Sequence, residues 1–303
     1  MNAEPRVSVG LPVFNGERYL AESLESLRTQ TLEQIEVIIS DNGSTDDSVA
    51  IAEDYCRRDT RFRLIRQPTN KGGAFNHNIL IDHARAPFFK WASHDDVCGG
   101  AMLEKLADAL EANPKAALAY SDVQYMDADG GMEKCLRRSL QIEHLLPHRR
   151  LRQYFRYYSY PKEANAVIGV IRTDALRRSS RIGSYPSSDL VLMAELAIAG
   201  DFVHVPEVLF YRRRHSHQST VENKSARDVA IWFDPRNKGW HNAYWWPLVK
   251  GYRRAIERSA LGGQEKLLCR GELLKWVWRR RRSLCYECYL GIRDRSPFFH
   301  AAY

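Results

Sequence analysis

The sequence predicts an α/β fold with a mostly parallel sheet, helices on both faces of that sheet, and a helical C-terminal extension. Short β-branched apolar runs alternate with segments of helical period through about residue 100. Polar clusters follow several of these runs, as expected for loops at the carboxyl ends of parallel strands. From about residue 222 the sequence becomes Trp-rich and helical in period, which predicts the extension.

The first hundred residues supply the regular alternation. Leu20, Leu24 and Leu27 recur at helical spacing after the first strand, and Asn15 is the expected N-cap of that helix. The turn-forming run 40–46 leads into a second helix. We predict strands over residues 7–13, 35–39, 62–65 and 87–91, with helices between them.

Beyond residue 100 the pattern is less regular. We predict a helix over 101–112, a helix near 189–199, and strands over 117–121, 166–171 and 202–211. Residues 140–160 are rich in Arg, His and Tyr and show no clean period. The lack of a low-complexity linker predicts that the extension packs on the core.

Composition excludes several classes of protein. No stretch of the 303 residues approaches the ~20 apolar residues of a membrane-spanning helix. The start shows no secretory signal, so we expect a cytoplasmic protein. Six scattered cysteines, of which only Cys285 and Cys288 are close, do not have the spacing of a zinc site.

The net charge of +8 is concentrated at one end. Residues 250–303 contain 13 Lys and Arg against 5 Asp and Glu, which accounts for the whole net charge. A nucleic-acid-binding face spread over the domain is therefore not expected, and no nucleic-acid-binding module is present.

Three polar clusters fall at predicted strand ends, in residues 14–17, 41–46 and 93–96. Ligands bind outside the carboxyl ends of the strands in such sheets. Each cluster alone is ordinary loop chemistry, but together they predict a ligand site. The Asp95-Asp96 pair suits Mg²⁺ or Mn²⁺, which carboxylates hold beside phosphates.

The order of motifs resembles family 2 glycosyltransferases, which use the GT-A fold, a Rossmann-type arrangement. The matching features are an apolar strand with Pro12 and Asn15, the run 40–46 with Asp41, the segment Asn70-Lys71-Gly72 followed by Asn76, and the acidic segment 93–96. The resemblance covers about residues 6–219. It implies a nucleotide-binding half (1–100), an acceptor-binding half (101–221) and a helical basic extension (222–303).

The resemblance also implies which residues contact the nucleotide. Asp41 would accept from the imide of uracil or thymine. Pro12, Phe14, Asn15 and Glu17 would form the slot and the ribose contacts. Lys71 would offer a cation to the ring carbonyl or to phosphate, and Asn76 is the later Asn of the motif. Lys71 is alternatively an ordinary solvated loop lysine.

The metal segment departs from the family pattern. Aligned on D-x-D, Ser93 stands where the first Asp is expected, and Asp95 keeps the place of the direct metal ligand. His94 is open to three roles: metal ligand, ribose contact or loop histidine. The substitution by Ser93 bears on metal affinity and on the choice of donor.

Two later motifs complete the expected site. Asp189, preceded by Ser188 where the family has Glu, matches the general base of inverting members. The helix dipole would favour its ionised form, and an N-cap Asp is the alternative. His215 matches the histidine that reaches the metal or diphosphate, with His217 as the second candidate.

The expected function is transfer of a sugar from a UDP- or dTDP-sugar to a carbohydrate or lipid-linked acceptor hydroxyl with inversion, in bacterial polysaccharide, glycolipid or glycoconjugate biosynthesis. The alternatives are a non-catalytic GT-A relative and a sugar-phosphate nucleotidyltransferase. Acceptor contacts would fall mainly in residues 135–186.

The tail carries a separate expectation. Leu267, Leu274, Val277 and Trp278 lie near one side of a predicted helix that runs into the basic cluster 279–282. This pattern predicts peripheral association with an anionic membrane on its inner face. The alternative is that the Trp face packs on the catalytic domain.

Overall fold

The computed structural model describes residues 4–137, 140, 142–158, 165–216, 218, 225–239 and 244–293. His217 and parts of the predicted acceptor region lie outside the described residues. The described strands are β1 (Val7–Val13), β2 (Ile35–Asp41), β3 (Phe62–Arg66), β4 (Phe88–Trp91), β5 (Val97–Cys98), β6 (Ala116–Met126), β7 (Met132–Leu136), β8 (Val170–Arg172) and β9 (Asp201–Arg213).

Ten α-helices occur in the described part of the chain. They are α1 (Glu17–Arg28), α2 (Ser48–Arg58), α3 (Gly73–His83), α4 (Met102–Ala112), α5 (Pro147–Tyr157), α6 (Thr173–Arg178), α7 (Ser188–Ala199), α8 (Ala226–Phe233), α9 (Trp245–Arg258) and α10 (Gly263–Arg293). Short 3₁₀ turns lie at Asn165–Ile168 and Asn237–Gly239.

All described strands belong to one sheet, in the order β3-β2-β1-β4-β8-β6-β9-β5, with β7 paired to β6. Pairing is parallel from β3 through β4 and between β6 and β9. The pairs of β8, β5 and β7 with their neighbours are antiparallel. The register sets Val13 beside Asp41 and Gly10 beside Trp91, so the ends of β1, β2 and β4 meet at one edge.

Helices cover both faces of the sheet, as predicted. One apolar cluster contains residues of α1, α2 and α4, and the other contains residues of α3, α5, α7, α9 and α10. The strands at the centre are buried on both faces: every residue of β2 is buried, which is typical of parallel strands between helical layers. The predicted α/β architecture is confirmed.

The local predictions that were wrong have physical reasons. Asn15 does not cap α1: Gly16 occupies the N-cap position, and Asn15 is in the left-handed region at φ 51°. Helix α5 was missed because it buries polar side chains. The guanidinium of Arg150 lies inside and donates to the carbonyls of Ala197 and Ile198, each at 2.8 Å, so the apolar period is broken.

The helical extension shares the core of the sheet domain. Trp276 of α10 is 3% exposed and packs among Phe155 and Tyr252. Gly251 of α9 lies so close to Val191 of α7 that a Cβ at position 251 would come within 2.6 Å of it. No helix among the described residues is long and apolar enough to cross a membrane.

We expect Trp276→Ala to lower the free energy of unfolding by about 3–5 kcal/mol, because it opens a cavity in the shared core. Trp278→Ala is the matched control: Trp278 is 67% exposed on the same helix, and its loss should change stability by less than ~0.5 kcal/mol. Urea unfolding followed by circular dichroism measures both. Equal small losses would show that the extension is not part of the cooperative core.

Candidate active site

The loops after β1 and β2 hold each other in place through crossed hydrogen bonds. Asn15 Oδ1 accepts from the N–H of Thr45 at 2.9 Å, and the N–H of Asn15 donates to Ser44 Oγ at 2.9 Å. Glu17 Oε2 accepts from the N–H of Asp47 at 2.9 Å. Side chains of each loop therefore bond backbone N–H groups of the other loop, near the start of the helix that follows it.

A third loop joins this pair through Asn42. The Asn42 amide donates to Asn70 Oδ1 at 2.9 Å and accepts from the N–H of Lys71 at 3.0 Å. Asp41, buried at the end of β2, accepts from the N–H groups of Gly43 and Ser44, each at 3.2 Å. The loops that follow β1, β2 and β3 thus converge on one edge of the sheet.

The remaining predicted nucleotide residues occupy distinct places in this frame. Asn76 is buried beneath the loops, where it accepts from Ser40 Oγ at 2.6 Å and donates to the carbonyls of Ser40 and Val13. Lys71 is exposed and lies 4.6 Å from the centroid of the Phe75 ring. Pro12 is half-buried on β1, while Phe14 projects into solvent and is 42% exposed.

The acidic segment lies against the same edge. Asp95 Oδ2 accepts from His215 Nε2 at 2.9 Å, and Ser93 Oγ donates to Asp95 Oδ1. The His94 ring rests on Gly16, where a Cβ would come within 2.5 Å of the ring. The fold therefore brings the two candidate residues Asp95 and His215 into contact, although they are 120 residues apart in the sequence.

The two adjacent aspartates are held in different electrostatic states. Burial opposes ionisation of Asp95, but the charge of nearby His94 and the hydrogen bonds from Ser93 and His215 outweigh it, so the pKa of Asp95 is lowered. Burial and the negative charge of Asp95 raise the pKa of Asp96. The arrangement thus keeps Asp95 as the anion of the pair.

Arg213 connects this segment to the rest of the fold. Its N–H donates to Asp96 Oδ1 at 2.9 Å and its Nε to the carbonyl of Asp95 at 3.1 Å. The guanidinium also bonds Glu22 of α1 and lies 4.6 Å from the centroid of Tyr19. Because its side chain is fully buried in these contacts, Arg213 holds the segment in place.

Asp189 lies in the first turn of α7, not at its N-cap, which is Ser187 in the left-handed region. Burial raises the pKa of Asp189, against backbone hydrogen bonds and the charge of Arg212. The expectation that the helix dipole dominates is therefore wrong: desolvation exceeds it. Arg212 acts on Asp96 as well, which links the two halves of the site.

Ser188 does not stand in for the glutamate of the family pattern. It is buried, and its Oγ donates to the carbonyl of Gly183 at 2.9 Å. It therefore braces the turn before α7 and leaves Asp189 as the carboxylate at this position.

Sequence reasoning missed the tyrosines around Asp189. Their hydroxyls lie close enough for the charge of Asp189 to raise the pKa of each, with burial as the larger cause in every case: Tyr154, Tyr158, Tyr185, Tyr244 and Tyr252. Two of them belong to the extension, and Tyr244 meets Ser187 Oγ at 3.0 Å. No local motif could have found Tyr244, because it is 55 residues from Asp189.

The extension also touches the third loop. At Gly72, with φ +91°, a Cβ would come within 2.5 Å of the carbonyl of Phe233, and at Gly73 within 2.7 Å of the Trp232 ring. Only glycine tolerates both the positive φ and the close approach at position 72. The glycine of this N-x-G motif is therefore needed for the close contact with α8 as well as for the turn.

The expected metal can be tested against the donor atoms present. Among the described residues no group of three or more His, Cys, Asp and Glu side chains is placed to hold an ion by itself. Asp95 and His215 supply one carboxylate and one imidazole, and the buried Nδ1 of His215 has no hydrogen-bond partner in the described part of the chain. This carboxylate and imidazole would supply two ligands for Mn²⁺ or Mg²⁺, and further oxygen ligands would have to complete the site.

Comparison with known proteins places the chain in a family. Residues 8–179 match the model of glycosyl transferase family 2. The chain belongs to this family. It is 30% identical over 141 residues to an uncharacterized glycosyltransferase of Haemophilus influenzae, covering 46% of this chain and 56% of that protein. It is also 30% identical over 124 residues to the glycosyltransferase GlyG of Streptococcus pneumoniae, covering 41% of each.

The family 2 chain spans about half or less of the length of these curated relatives. A second Haemophilus influenzae glycosyltransferase is 27% identical over 232 residues, which cover 75% of this chain and 71% of that one. Solved structures share the fold. The crystal structure of S. aureus TarS 1-349 in complex with UDP-GlcNAc aligns with TM-score 0.64 at 17% identity, over 96% of this chain and 76% of that one.

A mannosyltransferase of Pyrobaculum calidifontis in complex with GDP-Man and Mn²⁺ aligns with TM-score 0.51 at 16% identity, over 95% of this chain and 85% of that one. At these identities the structural likeness shows the fold alone. It confirms the GT-A-like architecture expected from the motifs.

Asp95→Ala should lower the free energy of unfolding by about 1–3 kcal/mol at pH 7, because it strands the hydrogen-bond donors of Ser93 and His215. Asp95→Asn should cost less, since its amide oxygen still accepts. A lowered folded pKa contributes stability above the unfolded pKa and loses it as pH falls through the folded pKa. The difference between wild type and Asp95→Ala should therefore shrink in acid. Urea titrations at several pH values measure this, and a gap that grows in acid would contradict it.

Proposed function

We propose that this family 2 protein transfers a sugar from a UDP- or dTDP-sugar to an acceptor hydroxyl, with inversion at the anomeric carbon. The observation that carries the proposal is the Asp95–His215 contact of 2.9 Å, beside the interlocked loops at the carboxyl ends of β1, β2 and β4. Switch-point crevices of this kind bind nucleotides in α/β sheets.

The donor would lie along residues 12–17 and 41–46. Asp41 is the proposed acceptor for the base imide, and Pro12 and exposed Phe14 form the proposed slot. Asn15 and Glu17 are proposed near the ribose, while Lys71 is the proposed cation for the ring carbonyl or phosphate. Asn76 is already saturated by Ser40 and Val13, so its proposed contribution is to hold the floor of the slot.

The leaving diphosphate would face Asp95 and His215, with His94 at the border of this region. Asp95 and His215 would help to hold Mn²⁺ or Mg²⁺, which would supply positive charge that stabilises the departing diphosphate. Ser93 gives a neutral hydroxyl in place of a second carboxylate, and it orients Asp95 through its hydrogen bond. Asp95 therefore carries the proposed metal contact for this segment.

Asp189 is the proposed base on the acceptor side. The acceptor hydroxyl attacks the anomeric carbon opposite the diphosphate through an oxocarbenium-like state. Its proton moves to the Asp189 carboxylate, the bond from carbon to the diphosphate oxygen breaks, and nucleoside diphosphate leaves. A raised pKa makes this carboxylate a stronger base than a solvated aspartate.

The proposal extends to the acceptor and to the cellular setting. The tyrosines around Asp189 offer ring faces and hydroxyls that suit a carbohydrate or the sugar end of a lipid-linked acceptor. The curated relatives described above come from bacteria. We place the enzyme in the cytoplasm, in bacterial polysaccharide, glycolipid or glycoconjugate synthesis.

The donor site is tested by thermal shift with UDP, dTDP and their sugars, each with and without Mn²⁺. Binding raises the melting temperature by mass action, and Mn²⁺ should enlarge the shift in wild type but not in Asp95→Asn. Asp108→Asn is the matched control, since Asp108 is exposed and pairs with Arg6 away from the site. Absence of any shift, together with absence of donor hydrolysis, would favour the non-catalytic alternative.

Asp189→Asn should lower kcat for donor hydrolysis by roughly 10²-fold or more, the scale of losing a positioned base. Its melting temperature at pH 7 should rise, because a buried carboxylate with raised pKa destabilises the fold once ionised. In wild type the acid limb of kcat should lie above pH 3.8, the ordinary pKa of Asp. Asp174→Asn is the control, since Asp174 of α6 is exposed. Retained anomeric configuration of the product by NMR would refute inversion.

A further inference from the structure

Helix α10 separates its charges between two faces. All its described acidic residues turn toward the fold: Glu265 meets His148, Glu272 bonds Arg152, and the Glu287 carboxylate accepts from the backbone N–H groups of Trp245 and Trp246. These acids are therefore engaged by the domain, and the outward face has no described acidic side chain.

The outward face carries an apolar stripe. Leu267, Leu274, Trp278, Cys285 and Tyr289 follow one another at spacings of seven, four, seven and four, which keeps them on one side of a helix. Leu267, Leu274 and Trp278 are 63%, 68% and 67% exposed. The opposite side of the helix contains the buried Trp276. One face of α10 therefore packs on the domain, and the other face is exposed to solvent.

Cations flank this stripe on both sides. Arg270 and Arg281 border one edge, and Lys275, Arg279 and Arg282 border the other, all exposed. Arg270 is paired with Glu257 of α9 and Lys275 with Glu272. No described Asp or Glu lies within ion-pair distance of Arg279, Arg281 or Arg282. The Arg281 guanidinium lies 4.6 Å from the centroid of the Trp278 ring, so charge and aromatic surface form one patch.

We propose that this outer face of α10 docks on the surface of an anionic lipid bilayer, with the stripe in the headgroup region and the flanking cations on lipid phosphates. An exposed apolar face with aromatic residues and a basic border has the composition of interfacial helices. The cations interrupt the apolar surface too often for the helix to span the bilayer.

A second copy of the chain is the less suitable occupant. Paired helices place the residues that border their apolar seam opposite one another, and stable pairs use opposite charges there. Arg281 on one border and Arg279 and Arg282 on the other have no ion-pair partner among the described residues, so two copies would bring like charges together. An anionic surface meets these three cations with opposite charge.

The test is sedimentation of the full chain with vesicles of phosphatidylglycerol and phosphatidylcholine in equal parts, against pure phosphatidylcholine. We expect binding to the anionic vesicles alone, weakened by salt. The triple variant Arg279→Gln, Arg281→Gln, Arg282→Gln should bind about 10²-fold more weakly, at roughly five-fold per cation. Trp278→Ala should also weaken binding while its melting temperature stays unchanged.

The matched control removes the same charge elsewhere. Arg57, Arg58 and Arg66 are exposed near α2 and β3, and their replacement by Gln should leave vesicle binding unchanged. Equal recovery of wild type in the supernatant with both vesicles, at low and high salt, would overturn the proposal. So would wild-type binding by the α10 variants, or a dimer in sedimentation velocity that Trp278→Ala dissociates. Because binding is the readout, the result is independent of catalysis.

Discussion

The constraint on which the site depends is the burial of two adjacent carboxylates, Asp95 and Asp96, at the end of a central strand. Neighbouring anions in a dry environment cannot both ionise without nearby positive charge and hydrogen-bond donors. Most of the contacts around the two carboxylates supply such positive charge or such donors. Ser93 and His215 bond Asp95, Arg213 donates its backbone N–H to Asp96, and its guanidinium ties the segment to α1. Positions of β9, α1 and the acidic loop are thereby coupled, and a divalent ion would enter a place already organised around one negative charge.

The extension is structurally part of the site domain. Trp232 and Phe233 close on the glycines of the third loop, and Tyr244 reaches Ser187 beside Asp189. Glu287 holds the start of α9, which carries Tyr244 at its N-cap, so the outermost helix fixes a residue near the proposed base. The same helix presents its cationic face outward. The proposed lipid-docking surface and the proposed wall of the acceptor region thus belong to one packed unit.

Several motif residues are engaged in the frame that builds the site. Asn15, Glu17 and Asn76 bond backbone groups of neighbouring segments, and Asp41 bonds N–H groups of the loop that follows it. These motif residues therefore hold three loops at one edge of the sheet, in addition to their proposed contacts with a nucleotide. Ser188 shows the converse: where the family pattern has a carboxylate, this chain uses a hydroxyl to brace a turn.

The sequence by itself determined the α/β architecture, most strands and helices, and the family, and it named Asp95, Asp189 and His215 as candidate site residues, because buried strands and strand-end polar runs leave local patterns. Tertiary structure alone decided what local patterns cannot contain. It set Arg213 inside the fold, raised the pKa of Asp189 by burial against the helix dipole, and brought Tyr244 from the extension to Ser187. It also turned Trp276 inward and Trp278 outward on one helix. Each of these outcomes depends on burial and on partners distant in the chain, which residue type and spacing do not encode.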